Sequence, residues 1–292
     1  MTFDGHRSDD DEPHVFVSED YGQTWRSIRA NLPRSAGTTR EIAEDLENQN
    51  VLYLGAEFSA WISIDRGESW TQLKGNLPTV AIHEFAQHPS SGELIAATHG
   101  RSIWIVDVTT LRQLTPETIQ APVHLYTPNT AIFWRSQPNR GSSGLRRFVG
   151  QNPDETAQIC YSLGRQARQV KLEVLTLEGE KVRELKASPQ PGLHRLTWDL
   201  RRTVSFSNAG RAATASRGGG RSRRRASRRV PTGRYVIALT VDGTTHRTSL
   251  NVEADPQYPD GRFLQYEEEA EEIEKYLQEE EGDAGEDETI IR

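Results

Sequence analysis

The sequence predicts an all-β chain: part of a β-propeller, about two and a half blades long, then a β-sandwich, then one short C-terminal helix. Three observations lead there. The stretch Ser18-Glu19-Asp20-Tyr21-Gly22-Gln23-Thr24-Trp25 returns as Ser63-Ile64-Asp65-Arg66-Gly67-Glu68-Ser69-Trp70, and Asn31-Leu32-Pro33 returns as Asn76-Leu77-Pro78, so seven identities keep a spacing of 45 residues. A period of roughly 40 to 50 residues made of short strands is the length of one four-stranded propeller blade. Beyond residue 115 further strand candidates follow without that period, and from Phe263 apolar residues fall at helical spacing.

Taken in order, His14 to Ser18 reads as a strand, Glu19 to Gln23 as a turn and Thr24 to Ser27 as the returning strand. The turn chemistry explains the repeated motif. An Asp side chain bonds backbone N–H groups two residues on, and Gly22 takes positive φ without steric cost, so the two close a hairpin that Trp25 covers. Asp65, Gly67 and Trp70 repeat the device, which makes Ser18, Asp20, Gly22, Trp25 and Ser63, Asp65, Gly67, Trp70 structural residues rather than catalytic ones. Glu41 to Asp45 and Val51 to Ala56 supply the two strands between the hairpins. Val80 to Gln87, Leu94 to Thr98 and Ile103 to Asp107 form a third unit without the Asp motif, Trp104 standing where Trp61 stands one unit earlier.

After Leu114, Thr115-Pro116 and Ala121-Pro122 punctuate a linker. Gln158 to Leu163, Val170 to Leu177, Lys181 to Leu185, Leu193 to Leu200, Tyr235 to Val241 and Thr248 to Val252 are strand candidates, the second and third joined by a hairpin turn at Glu178-Gly179. Six short strands with turn signals suit a sandwich. Phe263, Tyr266, Ala270, Ile273 and Leu277 follow a 3-4-3-4 spacing that predicts an amphipathic helix, and the acids beyond Gln278 read as a disordered tail.

The doubled S-x-D-x-G-x-x-W motif resembles the Asp-box, or BNR-repeat, propellers, a group that includes sialidases, other glycoside hydrolases and sortilin-type propellers. Phe3 to Arg7, Asn76-Leu77-Pro78 and Thr98 to Trp104 look like the last blades of large bacterial proteins labelled as BNR-repeat glycosyl hydrolases with sortilin-like propellers. Gly192 to Asp199 and Pro231 to Tyr235 resemble the FlgD-type Ig-like domain. The resemblance implies blades over residues 1–115, an Ig-like sandwich over 116–255 with an inserted Arg-rich loop at 203–229, and an acidic helical tail over 256–292. It also implies upstream blades as partners, and an extracytoplasmic home for the full protein; the chain itself shows no signal-peptide apolar region.

Composition narrows the function. Residues 203–229 carry eight Arg and no acid, while 267–288 carry thirteen acids and one Lys; without these tracts the net charge of -7 becomes -3. The Arg tract has the charge to meet nucleic-acid phosphates, but no aromatic residue interleaves it for stacking on a single strand, so nucleic acid is not the expected partner; the acidic tail is the nearer one, for an intramolecular, salt-sensitive contact. Cys160 is the single cysteine, so no intrachain disulfide and no cysteine zinc site arises, and the histidines show no metal-ligand spacing. No apolar run is long enough to span a bilayer, and Gly218-Gly219-Gly220 lies outside any phosphate-loop context. No cofactor is implied.

In the propellers this chain resembles, Asp boxes lie on the face away from the ligand. Candidate binding residues are therefore those on loops between second and third strands: His6, Arg7, Glu57, His99 and Arg101, with Asp9, Asp10 and Asp11 nearby and His83 on an innermost strand facing a central channel. A glycosidase needs two carboxylates flanking the bond, or a Tyr and Glu pair in sialidases; neither can be assembled here, and the Phe-Arg-Ile-Pro motif of sialidases is absent. The function expected is a non-catalytic module recognising a protein or glycan ligand. The alternative is part of a glycoside hydrolase whose catalytic residues lie mainly upstream.

Overall fold

A computed structural model describes residues 1–134, 155–203 and 228–256. The fold is all-β. Three antiparallel sheets follow one another: β1 (Thr2–Phe3), β2 (His14–Val17) and β3 (Arg26–Ser27); then β4 (Thr39–Glu44), β5 (Leu52–Ala56), β6 (Ala60–Ser63) and β7 (Thr71–Gln72); then β8 (Ile82–Gln87), β9 (Glu93–Thr98) and β10 (Ile103–Asp107). Each is a meander in chain order, and the middle one has the four strands of a full blade.

Side-chain alternation shows how they stack. In a strand successive side chains point to opposite faces. Leu52, Leu54 and Ala56 join Val15, Ile28 and Trp70 in one apolar cluster, whereas Val51 and Tyr53 join Ile82, Phe85 and Leu94 in another. β5 is therefore covered on both faces, by the sheet before it and the sheet after it. Each fully buried side chain such as Leu54, Ile82 or Leu94 contributes about 1.5–3 kcal/mol. The close approach also demands Gly55, where a Cβ would lie 2.7 Å from the Ile82 carbonyl oxygen.

Both repeated turns are built alike. Ser18 Oγ donates to Asp20 Oδ1 (2.8 Å) and accepts the Gly22 N–H (2.7 Å), while Asp20 accepts the Thr24 N–H (2.8 Å). Ser63, Asp65, Gly67 and Ser69 reproduce each bond. Tyr21 and Arg66, just before the glycines, are left-handed, as are Gly22 and Gly67. The Asn of the trailing Asn-Leu-Pro explains the rest of the repeat. Asn31 grips the Trp70 backbone of the next sheet from both sides, accepting its N–H (2.7 Å) and donating to its carbonyl (2.9 Å), and Trp70 Nε1 donates to the Ile28 carbonyl (2.8 Å). Trp70 is 2% exposed and its counterpart Trp25 is 47% exposed.

The helix α1 (Thr109–Arg112) follows the third sheet, and the stretch after Leu114 read as a linker holds α2 (Pro116–Gln120), started by a Thr115–Thr118 capping box with Pro at the first position. Arg112 of α1 reaches back to the middle sheet. Its guanidinium meets the buried Asp45 carboxylate (2.9 Å) and Glu47 (2.8 Å), and Asp45 also accepts the Tyr53 hydroxyl and the Glu47 and Asn48 N–H groups.

The sandwich follows. One sheet is β11 (Val123–Leu125), β13 (Ala157–Leu163) and β16 (Gly192–Trp198), in the order β11-β13-β16; the other runs β12 (Ala131–Phe133), β20 (Thr244–Ala254), β19 (Gly233–Val241), β14 (Val170–Leu175) and β15 (Lys181–Leu185). β12 pairs parallel with β20, and every other pairing is antiparallel. The inner faces share a core that includes Ile159, Tyr161, Leu172, Trp198, Ile237, Leu239 and Leu250. Trp198 packs edge-on against Tyr235, whose hydroxyl donates to the Pro231 carbonyl (2.7 Å), the corner bond of Ig-like sandwiches. The short ladder of β17 (Arg201–Arg202) and β18 (Arg228–Arg229) closes the base of the Arg-rich stretch. The rest of that stretch, the C-terminal helix and the acidic tail lie outside the described residues.

Candidate functional site

The loops directly after β1, β5 and β9 begin with Asp4, Glu57 and His99. The first strands β4 and β8 each contain a β-bulge: the ladder passes from Thr39 to Glu41 and from Ile82 to Glu84, leaving Arg40 and His83 as the extra residues. A bulge re-aims the side chain it inserts. Arg40 thereby meets Glu57 through Nε (2.9 Å) and Nη2, and His83 Nε2 meets His99 Nδ1 (3.2 Å). One backbone device, repeated in successive sheets, builds two different polar pairs.

Around the first pair lies a cleft of about 550 Å³ lined by His6, Asp11, Arg34, Ser35, Gly37, Thr38, Arg40, Glu57 and Phe58. His6 sits in a single 3-10 turn, and its Nδ1 is 2.6 Å from Asp4 Oδ1; Arg40 Nη1 donates to the other Asp4 oxygen (3.1 Å). Partial burial pulls the Asp4 pKa upward, but the hydrogen bonds from His6 and the Arg40 charge outweigh it and hold the carboxyl below its usual range. Arg40 thus bridges Asp4 and Glu57. Arg34 is 76% exposed at its side chain and is anchored at Nε by Glu12 (3.0 Å). Phe58 is 49% exposed, a bare aromatic face beside these charges.

Gly37 fixes the wall of the cleft. Its φ is 73°, and a Cβ there would lie 2.7 Å from Glu57 Cβ and 3.0 Å from the Phe58 ring. Thr38, next along, is 2% exposed; its hydroxyl is enclosed by protein and has no hydrogen-bond partner among the described residues.

Of the residues expected from sequence, His6, Glu57 and Asp11 line this cleft. Arg7 is exposed on the same turn as His6, outside the lining. His83 lies on the edge strand of its sheet, and its ring meets His99. Arg101 is exposed, with its carbonyl accepting Trp104 Nε1 (2.9 Å). Asp10 pairs with His14 (2.8 Å) instead of entering the cleft. Arg40, Arg34, Ser35, Gly37, Thr38 and Phe58 line the cleft without having been among the expected residues. Position gave a signal for one of them, since Arg40 precedes Glu41 as His83 precedes Glu84.

One further carboxyl is unusual. Burial raises the Glu41 pKa, the Phe85 N–H that it accepts works against this, and the neighbouring Glu84 charge adds to it. The Asp-motif carboxylates behave oppositely: Asp20, held by the Thr24 hydroxyl and N–H, is lowered to about 2, as suits a permanently ionised turn former. Among the described residues no group of three or more His, Cys, Asp and Glu side chains is placed to hold a metal ion, and no helix is long and apolar enough to cross a membrane.

No family model matches the chain, and no curated protein does. Among solved structures it is similar to two of the extracellular domain of BT4673 from B. thetaiotaomicron. One is described as part of a one-component system, with 14% identity over 82% of this chain and a TM-score of 0.25. The other is described as part of a hybrid two-component system, with 15% identity over 84% and a TM-score of 0.26. The chain spans 28% and 29% of those structures' lengths.

Proposed function

We propose that the chain is a non-catalytic binding module that holds a glycan in the cleft between the first two sheets. The observation that carries this is the cleft's composition: one exposed aromatic face, Phe58, set beside an Arg40 that bridges two carboxylates and a mostly exposed Arg34. Sugars present apolar C–H faces flanked by hydroxyls, and such a surface offers stacking together with both donors and acceptors. Acid catalysis would need a carboxyl that retains its proton, whereas Asp4 is pushed the other way.

In this reading residues 1–115 are the C-terminal blades of a sortilin-like Asp-box propeller, 116–255 a FlgD-type Ig-like domain and 256–292 an acidic tail, within an extracytoplasmic protein. Upstream blades are its first partner. The exposed Phe3 and Trp25 support this, because Trp70, the counterpart of Trp25, is enclosed by Ile28 and Asn31 of the sheet before it. A hydrolytic second reading has one observation on its side: Glu41, whose pKa is raised beside Glu84. Its carboxylate is already committed to the Phe85 N–H of the next sheet.

A glycan array followed by a glycosidase panel tests both. Binding without turnover that is lost in Phe58→Ala and Arg34→Ala is the expected result. Turnover abolished by Glu41→Gln would replace it with the second reading.

A further inference from the structure

We infer that His83 and His99 form a two-histidine site for a divalent late-transition-metal ion, of which Zn²⁺ and Ni²⁺ are the natural probes. The site does not rest on the glycan reading and lies outside the cleft lining.

The geometry is that of a chelate. His83 Nε2 and His99 Nδ1 face one another at 3.2 Å, with ring centroids 4.9 Å apart and planes inclined by 31°. Two imidazole nitrogens bound tetrahedrally to one ion at the usual zinc–nitrogen length stand roughly 3.3 Å apart. The present separation already matches that spacing, and admitting the ion in place of the shared proton takes a rotation of the rings that aims both nitrogens at it. Imidazole nitrogen is a fitting donor for zinc, nickel and copper.

The backbone holds both rings in place. His83 occupies the bulge of β8, and His99 is fixed by its N–H bond to the Ala81 carbonyl (2.9 Å) ahead of Gly100, whose φ is 76°. Both side chains are exposed, so binding strips little structure and entry is open. Since no third His, Cys, Asp or Glu among the described residues completes a site, water or an incoming ligand atom fills the remaining positions. Two protein ligands fall short of the three that hold an open catalytic zinc, so the site is a weak, exchangeable one. The other histidines of the first three sheets differ: His6 and His14 face carboxylates, and His88 Nδ1 accepts the Ser90 and Ser91 N–H groups.

The test is calorimetric titration of the full chain with ZnCl₂ and with NiCl₂ at neutral pH, repeated on His83→Ala, His99→Ala, His83→Gln and the control His88→Ala. One equivalent should bind. Either alanine variant and the glutamine variant should weaken binding at least tenfold, because each leaves one imidazole, while His88→Ala should bind as the parent does. The glutamine variant keeps a polar group in the bulge and guards against loss through misfolding, which circular dichroism checks in each case. Unchanged affinity in all four variants, or no stoichiometric binding by the parent chain, would overturn the site and leave a hydrogen-bonded pair only.

Discussion

Replacing Arg112 with Met should be among the more damaging single substitutions in the first three sheets. Asp45 has no exposed side-chain surface and Arg112 has 6%, so the substitution removes the counter-charge without letting water in. Taking one partner from a buried ion pair costs about 3–5 kcal/mol. At 2 °C or more per kcal/mol, the unfolding midpoint should fall by at least about 6 °C. The sign with pH also follows. Burial works against the Asp45 charge, but Arg112, the two N–H groups and Tyr53 prevail and its folded pKa lies below the ordinary value. The pair's contribution is therefore complete above the unfolded carboxyl pKa and is lost as pH falls through the lower folded value. The gap between parent and Arg112→Met should therefore narrow as pH falls below about 4, where the unfolded chain binds a proton that the folded parent resists. Thermal unfolding followed by tryptophan fluorescence, at pH 7 and pH 4, measures this, and Asp45→Asn/Arg112→Met should recover much of the loss. A midpoint within 1 or 2 °C of the parent at pH 7, roughly under 1 kcal/mol, would refute the reasoning.

The remaining expectations concern the turns, the sandwich and the cleft. Asn31→Ala should cost about 1–3 kcal/mol by leaving the Trp70 N–H and carbonyl without their partner, and should shift Trp70 emission to the red; Trp25→Phe should barely register in the same chain. Carboxyl NMR should place the Asp20 midpoint at about 2, and a midpoint near that of a free Asp would contradict the turn bonds. Tyr235→Phe should lower sandwich stability by about 1 kcal/mol through loss of the bond to Pro231, measured by urea unfolding. Gly37→Ala should weaken glycan binding by pushing Glu57 and Phe58 aside, with the sandwich unaffected.

Much of the fold was legible because period-2 alternation and turn residues are local signals. His14 to Ser18, Ile103 to Asp107 and Lys181 to Leu185 emerge within a residue of their observed bounds. Thr115-Pro116 is a capping signal as much as a mark of a linker, and Asp242-Gly243, both left-handed, is a hairpin signal between β19 and β20. β11 and β12 were not readable. Three residues each, they exist by pairing with β13 and β20, and β20 lies over a hundred residues away. Asn31 was seen as a repeat identity, but its grip on Trp70, 39 residues on, is a tertiary fact. Arg40 escaped for a related reason: a bulge interrupts alternation, so the residue it re-aims looks like one more polar position on a strand.

The most direct test of the account is calorimetric binding of the strongest array glycan to the parent chain and to Phe58→Ala, with the glycan recovered and analysed afterwards. The account predicts saturable binding by the parent chain, at least tenfold weaker binding by the variant, and a glycan returned intact. Equal affinity in both chains, or a cleaved glycan, would contradict it.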